Sequence, residues 1–214
     1  MVKKKVGVLV SGRGSNLQAL LDASSDPAFP AEIVLVVSNV AGAFALERAA
    51  KAGVPTCVVS HKDYASREAF DAVMDGHLRA AGVEIVCLAG FMRLLSSSFV
   101  RGWEGRMINI HPSLLPSFKG LHTHAQAIEA GVKLHGCTVH LVTSDLDDGP
   151  ILVQAAVPVL ADDTPDSLAA RVLEQEHKAY PQALRLLAEG KVTVEGRRAL
   201  IHGPGVNIPV NPAP

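Results

Sequence analysis

Two side chains suited to acyl chemistry stand two residues apart where an apolar run meets a proline. In Met107-Ile108-Asn109-Ile110-His111-Pro112, Asn109 carries an amide N–H2, a neutral donor for a carbonyl oxygen that is turning into an oxyanion. His111 donates as imidazolium or accepts as imidazole. Residues at i and i+2 of a strand share a face, and Pro112 forbids the strand from continuing inside a sheet. Both groups are therefore aimed together at a strand end. A satisfied amide and a structural histidine would also explain the pair. Further on, Ser144-Asp145-Leu146-Asp147-Asp148-Gly149-Pro150 gathers three carboxylates between two apolar runs. Turn-making accounts for Asp-Asp-Gly-Pro. The functional alternative is one aspartate facing the Asn–His pair as proton acceptor or imidazole partner, and spacing alone leaves open which of the three it is.

A second constellation, Ser11-Gly12-Arg13-Gly14-Ser15-Asn16, joins an apolar run to a helical pattern. Strand, glycine turn and helix start leave unbonded N–H groups at the positive end of a helix, where a phosphate fits. Gly12 and Gly14 let the backbone turn and approach an anion, and Ser15 and Asn16 can cap the helix or donate directly. The dinucleotide fingerprint fails: its third glycine would fall on Leu17, and the next apolar run ends in Ser38-Asn39 without an acid for an adenine ribose. A phosphomonoester is the functional reading and a plain tight turn the alternative. Glu176 interrupts the helical row Leu168, Val172, Glu176, Tyr180, which must face inward, so its carboxylate needs a cation or a polar ligand. His122, His124, His135 and His140 lack metal-ligand spacing, and no metal is expected.

These groups need a scaffold that brings strand ends together. Apolar runs at 6–10, 33–37, 56–59, 84–88 and 107–110 alternate with helical patterns at 15–23, 43–52 and 66–81. In the third helix Phe70, Val73, Met74 and His77 follow the i, i+3, i+4, i+7 rule. Continuous apolar strands with helical crossovers imply a doubly wound, mostly parallel α/β sheet. Later runs at 137–142 and 151–157 add an antiparallel pair, giving a mixed sheet of about seven strands. A helix is expected at 123–131. A longer one follows, with Thr164 as N-cap and Pro165 at its first position, kinked or restarted by Pro181 near Tyr180. One domain over 1–200 is expected, with a phosphate half (1–100), a catalytic half (101–200) and a flexible tail over 201–214.

Composition limits the partners. The 214 residues are 48% hydrophobic and 19% charged, with net charge −1, which suits one core and supplies no cationic field for a nucleic acid. No apolar run reaches membrane-spanning length. Three cysteines without a CxxC spacing suit a reducing cytoplasm, and Cys57 and Cys87 read as small core residues.

The segments VLVSGRGSNLQALL, ALERAAKAGVP, SREAFD, LAGFMRLLS, MINIHPSLLPSFKGLHTHAQAI, HGCTVHLVTSDLDDGPILVQ and VLEQEHKAYP together resemble the phosphoribosylglycinamide formyltransferases, folate-dependent enzymes of purine biosynthesis, over about residues 4–190. The resemblance implies transfer of a formyl group from the co-substrate 10-formyltetrahydrofolate to the amine of glycinamide ribonucleotide, by a monomer or homodimer with a Rossmann-like fold. It places the catalytic trio on Asn109, His111 and Asp147, the phosphate loop on Gly12, Arg13, Gly14, Ser15 and Asn16, and a ribose contact on Glu176. Folate contacts fall on Met92, Arg93, Leu94, Leu95, Asn109 and Thr143–Asp147, with Arg67 meeting the folate's glutamate tail. Leu173, where some members carry glutamine, and Arg13, where some carry asparagine, depart from the pattern. Three alternatives fit less well: a formyltetrahydrofolate hydrolase, a methionyl-tRNA formyltransferase with its added basic barrel, for which too little chain is expected after residue 190, and a nucleotide-binding regulator without catalysis.

Overall fold

The computed structural model describes residues 2–203. Five parallel strands, β1 (Lys4–Val10), β2 (Ala31–Ser38), β3 (Thr56–Val58), β4 (Ile85–Leu88) and β5 (Met107–His111), alternate with α1 (Ser15–Ser24), α2 (Phe44–Lys51), α3 (Arg67–Ala80) and α4 (Ser97–Gly102). After α5 (Thr123–Glu129), β6 (Leu134–Leu141) and β7 (Ile151–Pro158) add the antiparallel pair. The seven strands lie in the order β3-β2-β1-β4-β5-β6-β7. The order reverses at β1 and β4, where an open α/β sheet leaves a crevice at the carboxyl ends of its strands.

Period-two alternation divides the core. Val6, Val8 and Val10 of β1 face one layer with Leu17 and Leu20 of α1, while Leu9 faces the other with Phe70, Met74 and Leu78 of α3. Each fully buried aliphatic contributes roughly 1.5–3 kcal/mol. The buried stripe of α3 is Phe70, Asp71, Met74 and Leu78, so the expected stripe through Val73 and His77 is rotated and His77 is exposed. The rotation puts Asp71 inside, where its carboxylate accepts from Ser96 N at 2.6 Å.

The long helix α6 (Pro165–Ala188) starts as its sequence requires, with Thr164 and Ser167 forming a reciprocal cap and Pro165 in the first turn. It continues through Pro181 as one element, so the restart expected near Tyr180 does not occur. Buried Ala179, Tyr180, Ala183 and Leu184 hold both sides of the proline against the sheet. The Tyr180 hydroxyl donates between Leu88 O (2.9 Å) and Ile108 O (3.2 Å), pinning the ends of β4 and β5 together. A hairpin of β8 (Val192–Glu195) and β9 (Arg198–Ile201) follows, with β9 lying against β7. Neither the hairpin nor α4 was expected from sequence. Ile201, placed at the head of the tail, is thus a strand residue, and the rest of that expected tail from 204 onward lies outside the described residues. Cys87 and Cys137 are buried, and burial pushes their thiols up to about 12, whereas Cys57 is only partly covered because β3 is the edge strand.

Candidate active site

The glycine turn follows β1 at the sheet's reversal. Gly14 occupies the left-handed region (φ 71°, ψ 32°) and precedes α1 without any side-chain cap, so Ser15 does not cap as its type allowed. A Cβ on Gly14 would lie 2.6 Å from Ala45 Cβ, so glycine is needed both for its φ and for the approach of α2. The carbonyls of Gly12 and Arg13 are turned onto α2, accepting from Ala45 N (3.0 Å) and Arg48 Nε (2.9 Å). Their placement leaves the positive end of α1 to face the crevice, and the Arg13 side chain is exposed.

Asn16 and Glu176 meet across 160 positions: Asn16 Nδ2 donates to Glu176 Oε2 at 2.7 Å. Both are buried, at 9% and 7% exposure. The inward carboxylate thus finds an amide rather than a cation. Burial raises the Glu176 pKa, opposed by the Asn16 bond. Asn16 Oδ1 is buried without a partner, an acceptor awaiting a donor.

On the other side of the crevice, β5 ends with Asn109 and His111 on one face. Asn109 stands opposite His140 in the antiparallel ladder, and Asn109 Nδ2 lies 3.3 Å from His140 Nε2. His140 Nδ1 faces Leu141 O at 3.0 Å and so carries its proton. Burial lowers the His140 pKa, so Nε2 of the neutral ring accepts from the Asn109 amide and fixes its orientation. An amide carries two N–H donors, so this bond uses one. His111 Nε2 donates to Phe118 O at 3.0 Å, and its Nδ1 lies 3.4 Å from Asp147 Oδ2. Acceptors on both ring nitrogens suit the doubly protonated ring.

Asp147 is the aspartate that reaches the pair. It is 8% exposed, adopts φ 49°, accepts from Gly120 N at 2.9 Å through Oδ2, and places Oδ1 3.9 Å from His140 Nε2. Asp145 is exposed, and Asp148 turns away to Lys119 and Arg197. Asn109, His111, His140 and Asp147 thus gather at one strand end, with the Asn109 amide held by His140 and the His111 ring facing Asp147. Such a cluster can donate to a developing oxyanion and take up a proton at the same carbon.

The sequence and its fold have counterparts among known proteins. The formyl transferase family model matches residues 4–184. The chain is 46% identical to the phosphoribosylglycinamide formyltransferase of Escherichia coli (strain K12), covering 92% of each chain. The chain belongs to the formyl transferase family. A formyl transferase fold is also evident in the crystal structure of glycinamide ribonucleotide transformylase 1 from Symbiobacterium toebii, with TM-score 0.92 and 49% identity over 94% of this chain and 95% of that one. The Drosophila melanogaster trifunctional purine biosynthetic protein adenosine-3 is 55% identical over 90% of this chain. This formyl transferase chain spans only 14% to 19% of the length of the first curated relatives it matches.

The remaining expected contacts lie in the loops after β4 and β6 and at the start of α3. Met92, Arg93 and Leu94 are exposed in the loop after β4, Leu95 is half-buried, and Thr143 is exposed in the loop after β6. Arg67 is exposed in the first turn of α3. Residue types alone missed three groups. Ser11 Oγ donates to Asn39 Oδ1 (2.6 Å) and accepts from Met92 N (2.8 Å), tying the glycine turn to the β4 loop. Asp71 anchors the far end of that loop at Ser96. His140 orients Asn109, which the cross-strand pairing of β5 with β6 would have revealed. Among the described residues no helix is long and apolar enough to cross a membrane, and no group of three His, Cys, Asp or Glu side chains is arranged to hold a metal ion.

Proposed function

We propose that this chain transfers a formyl group from 10-formyltetrahydrofolate to the primary amine of glycinamide ribonucleotide, giving N-formylglycinamide ribonucleotide in purine biosynthesis. The observation that carries the reading is the convergence of Asn109, His111 and Asp147 at the end of β5, beside an uncapped helix start that suits a phosphate. The phosphate of the ribonucleotide rests on Gly12–Asn16, with the ribose hydroxyls donating to Glu176 and to the unpartnered Asn16 Oδ1. Exposed Met92 and Leu94 offer apolar surface to the pterin ring, and the Arg67 guanidinium meets the glutamate carboxylate.

The amine attacks the formyl carbon, and the carbonyl oxygen gains charge. Asn109 and His111 donate to it. Because both nitrogens of His111 already face protein acceptors, the ring must release Phe118 O or Asp147 to do so. Asp147 takes up the proton that the new ammonium sheds and passes it toward the departing folate nitrogen. These contacts strengthen in the transition state, so their loss should fall on turnover rather than binding.

The test mixes protein, glycinamide ribonucleotide and a 10-formyl folate and follows the folate's ultraviolet spectrum. Deformylation that requires the ribonucleotide, with formyl appearing on its amine, is the expected result. Deformylation at the same rate without it would replace the transferase reading with a hydrolase.

A further inference from the structure

The catalytic aspartate is flanked by an ionic contact that the proposed chemistry does not use. Asp148 Oδ2 lies 2.7 Å from Arg197 Nη1, and Asp148 Oδ1 pairs with Lys119 Nζ. Three segments distant in sequence meet at this one carboxylate: the loop after β5, the aspartate loop, and the turn of the β8–β9 hairpin. Arg197 owes its place to Gly196, whose φ of 60° opens a two-residue hairpin turn of the glycine-first kind that suits right-twisted strands.

The contacts run in register. Lys119 binds Asp148 while the next residue, Gly120, donates its N–H to Asp147 Oδ2 at 2.9 Å. The residue before Lys119 is Phe118, whose carbonyl takes the other nitrogen of His111. Both acceptors on the His111 ring therefore sit one residue from the ionic cluster. A groove of about 350 Å³, lined by Leu115, Asp147, Asp148, Ile151, Arg197 and Ala199 among others, lies between the aspartate loop and the hairpin. The ionic contact bridges that groove.

We infer that Lys119, Asp148 and Arg197 form a clip by which the C-terminal hairpin sets the position of Asp147 and of the Phe118 carbonyl on His111, making Arg197 a positioning residue for formyl transfer. This rests on the function proposed above. The Arg197 side chain is 76% exposed, so the clip adds little to global stability and acts through geometry instead. Exposure also makes it sensitive to salt.

The experiment compares wild-type protein with Arg197→Ala, Arg197→Lys, Asp148→Asn and the double variant Arg197→Ala/Asp148→Asn. Two readouts are used, formyl-transfer kinetics and amide hydrogen exchange of Gly120 by NMR. A fall in kcat of about three- to five-fold is expected for Arg197→Ala, with the KM for glycinamide ribonucleotide unchanged, recovery in Arg197→Lys, and no further loss in the double variant. Gly120 exchange should accelerate in Arg197→Ala, and added salt should move wild type toward that variant. Unchanged Gly120 exchange in Arg197→Ala, or a kcat loss that Arg197→Lys does not recover, would overturn the clip. The exchange readout needs no turnover, so it judges the clip even if wild type proves unable to formylate the ribonucleotide, a result that would count against the functional reading alone.

Discussion

The two sides of the crevice are built by different means. The proposed phosphate side is five consecutive residues, Gly12–Asn16, whose shape follows from a strand, a left-handed glycine and a helix start. Its distant bonds are those of the Gly12 and Arg13 carbonyls to α2 and that of Asn16 to Glu176. The proposed formyl-transfer side draws Asn109, His111, Phe118, Gly120, His140 and Asp147 from β5, the loop after it, β6 and the aspartate loop. A local motif is specified by the backbone preferences of its own residues. A converging site is specified only once the sheet has paired. Substitutions on the first side should therefore act through backbone fit, and those on the second through charge and orientation.

The largest effects test the second side. His111→Ala and Asp147→Asn should each lower kcat by about a thousand-fold and change substrate KM values only a few-fold, measured by steady-state kinetics. Near-normal turnover in either would remove that residue from the chemistry. On the first side, Gly14→Val imposes a β-branched residue at φ 71° and drives its Cβ to 2.6 Å from Ala45 Cβ and 2.7 Å from Ala45 Cα. Stability should fall by about 3 kcal/mol, read from urea unfolding. A variant as stable as wild type would show that the turn relaxes freely and would erase the contrast.

This difference also explains how much could be read in advance. The parallel half follows from apolar runs and helical spacing, and the glycine turn was located to the residue. The inward face of Glu176 followed from its helical row. Its partner did not, because nothing local links positions 16 and 176. Asp147 could not be separated from Asp145 and Asp148 by spacing, since the choice depends on a backbone at φ 49° and on Gly120 from another loop. The β8–β9 hairpin escaped because its strands have four residues each and bury none of them fully, so they lack the alternation that marks a half-buried strand. The unbroken course of α6 through Pro181 reflects tertiary packing prevailing over a local breaker.

The two sides should also respond oppositely to acid. His135 lies beneath the formyl-transfer loop, its ring 5.9 Å from that of Phe118 and its Nε2 3.2 Å from His124 Nδ1. Burial, with His124 beside it, lowers its pKa to about 4, against about 6.5 in an unfolded chain. The unfolded state takes the proton first, so the stability that neutral His135 provides is complete above pH 6.5 and drains away as pH falls toward 4. The loss should approach about 3 kcal/mol. Urea midpoints at pH 7 and pH 4.5 should converge in His135→Gln relative to wild type; an unaltered pH slope would mean that the ring is solvated in solution. Glu176 has the other sign. Its raised pKa means that the folded state keeps its proton longer than the unfolded one, so its cost appears as pH rises past the ordinary glutamate range.

Glu176→Gln gives the smallest and sharpest test. The substituted side chain stays isosteric, and its oxygen still accepts from Asn16 Nδ2. Its new N–H2 can reach Asn16 Oδ1, the buried acceptor that has no partner. It also removes a carboxylate whose ionisation burial opposes. The ligand-free variant should therefore be more stable than wild type at pH 7 by about 1 kcal/mol, with the difference shrinking as pH falls and wild-type Glu176 becomes protonated. Binding should move the other way. A carboxylate accepts from ribose hydroxyls more strongly than an amide does, so the KM for glycinamide ribonucleotide should rise about ten-fold while the folate KM stays fixed. Gain in stability together with loss of ribonucleotide affinity would show that the pocket keeps an ionisable acid and an orphan acceptor in a costly arrangement that the substrate completes. A variant that loses stability would instead make the Asn16–Glu176 bond a structural one, and the phosphate side would be as dependent on long-range charge as its neighbour.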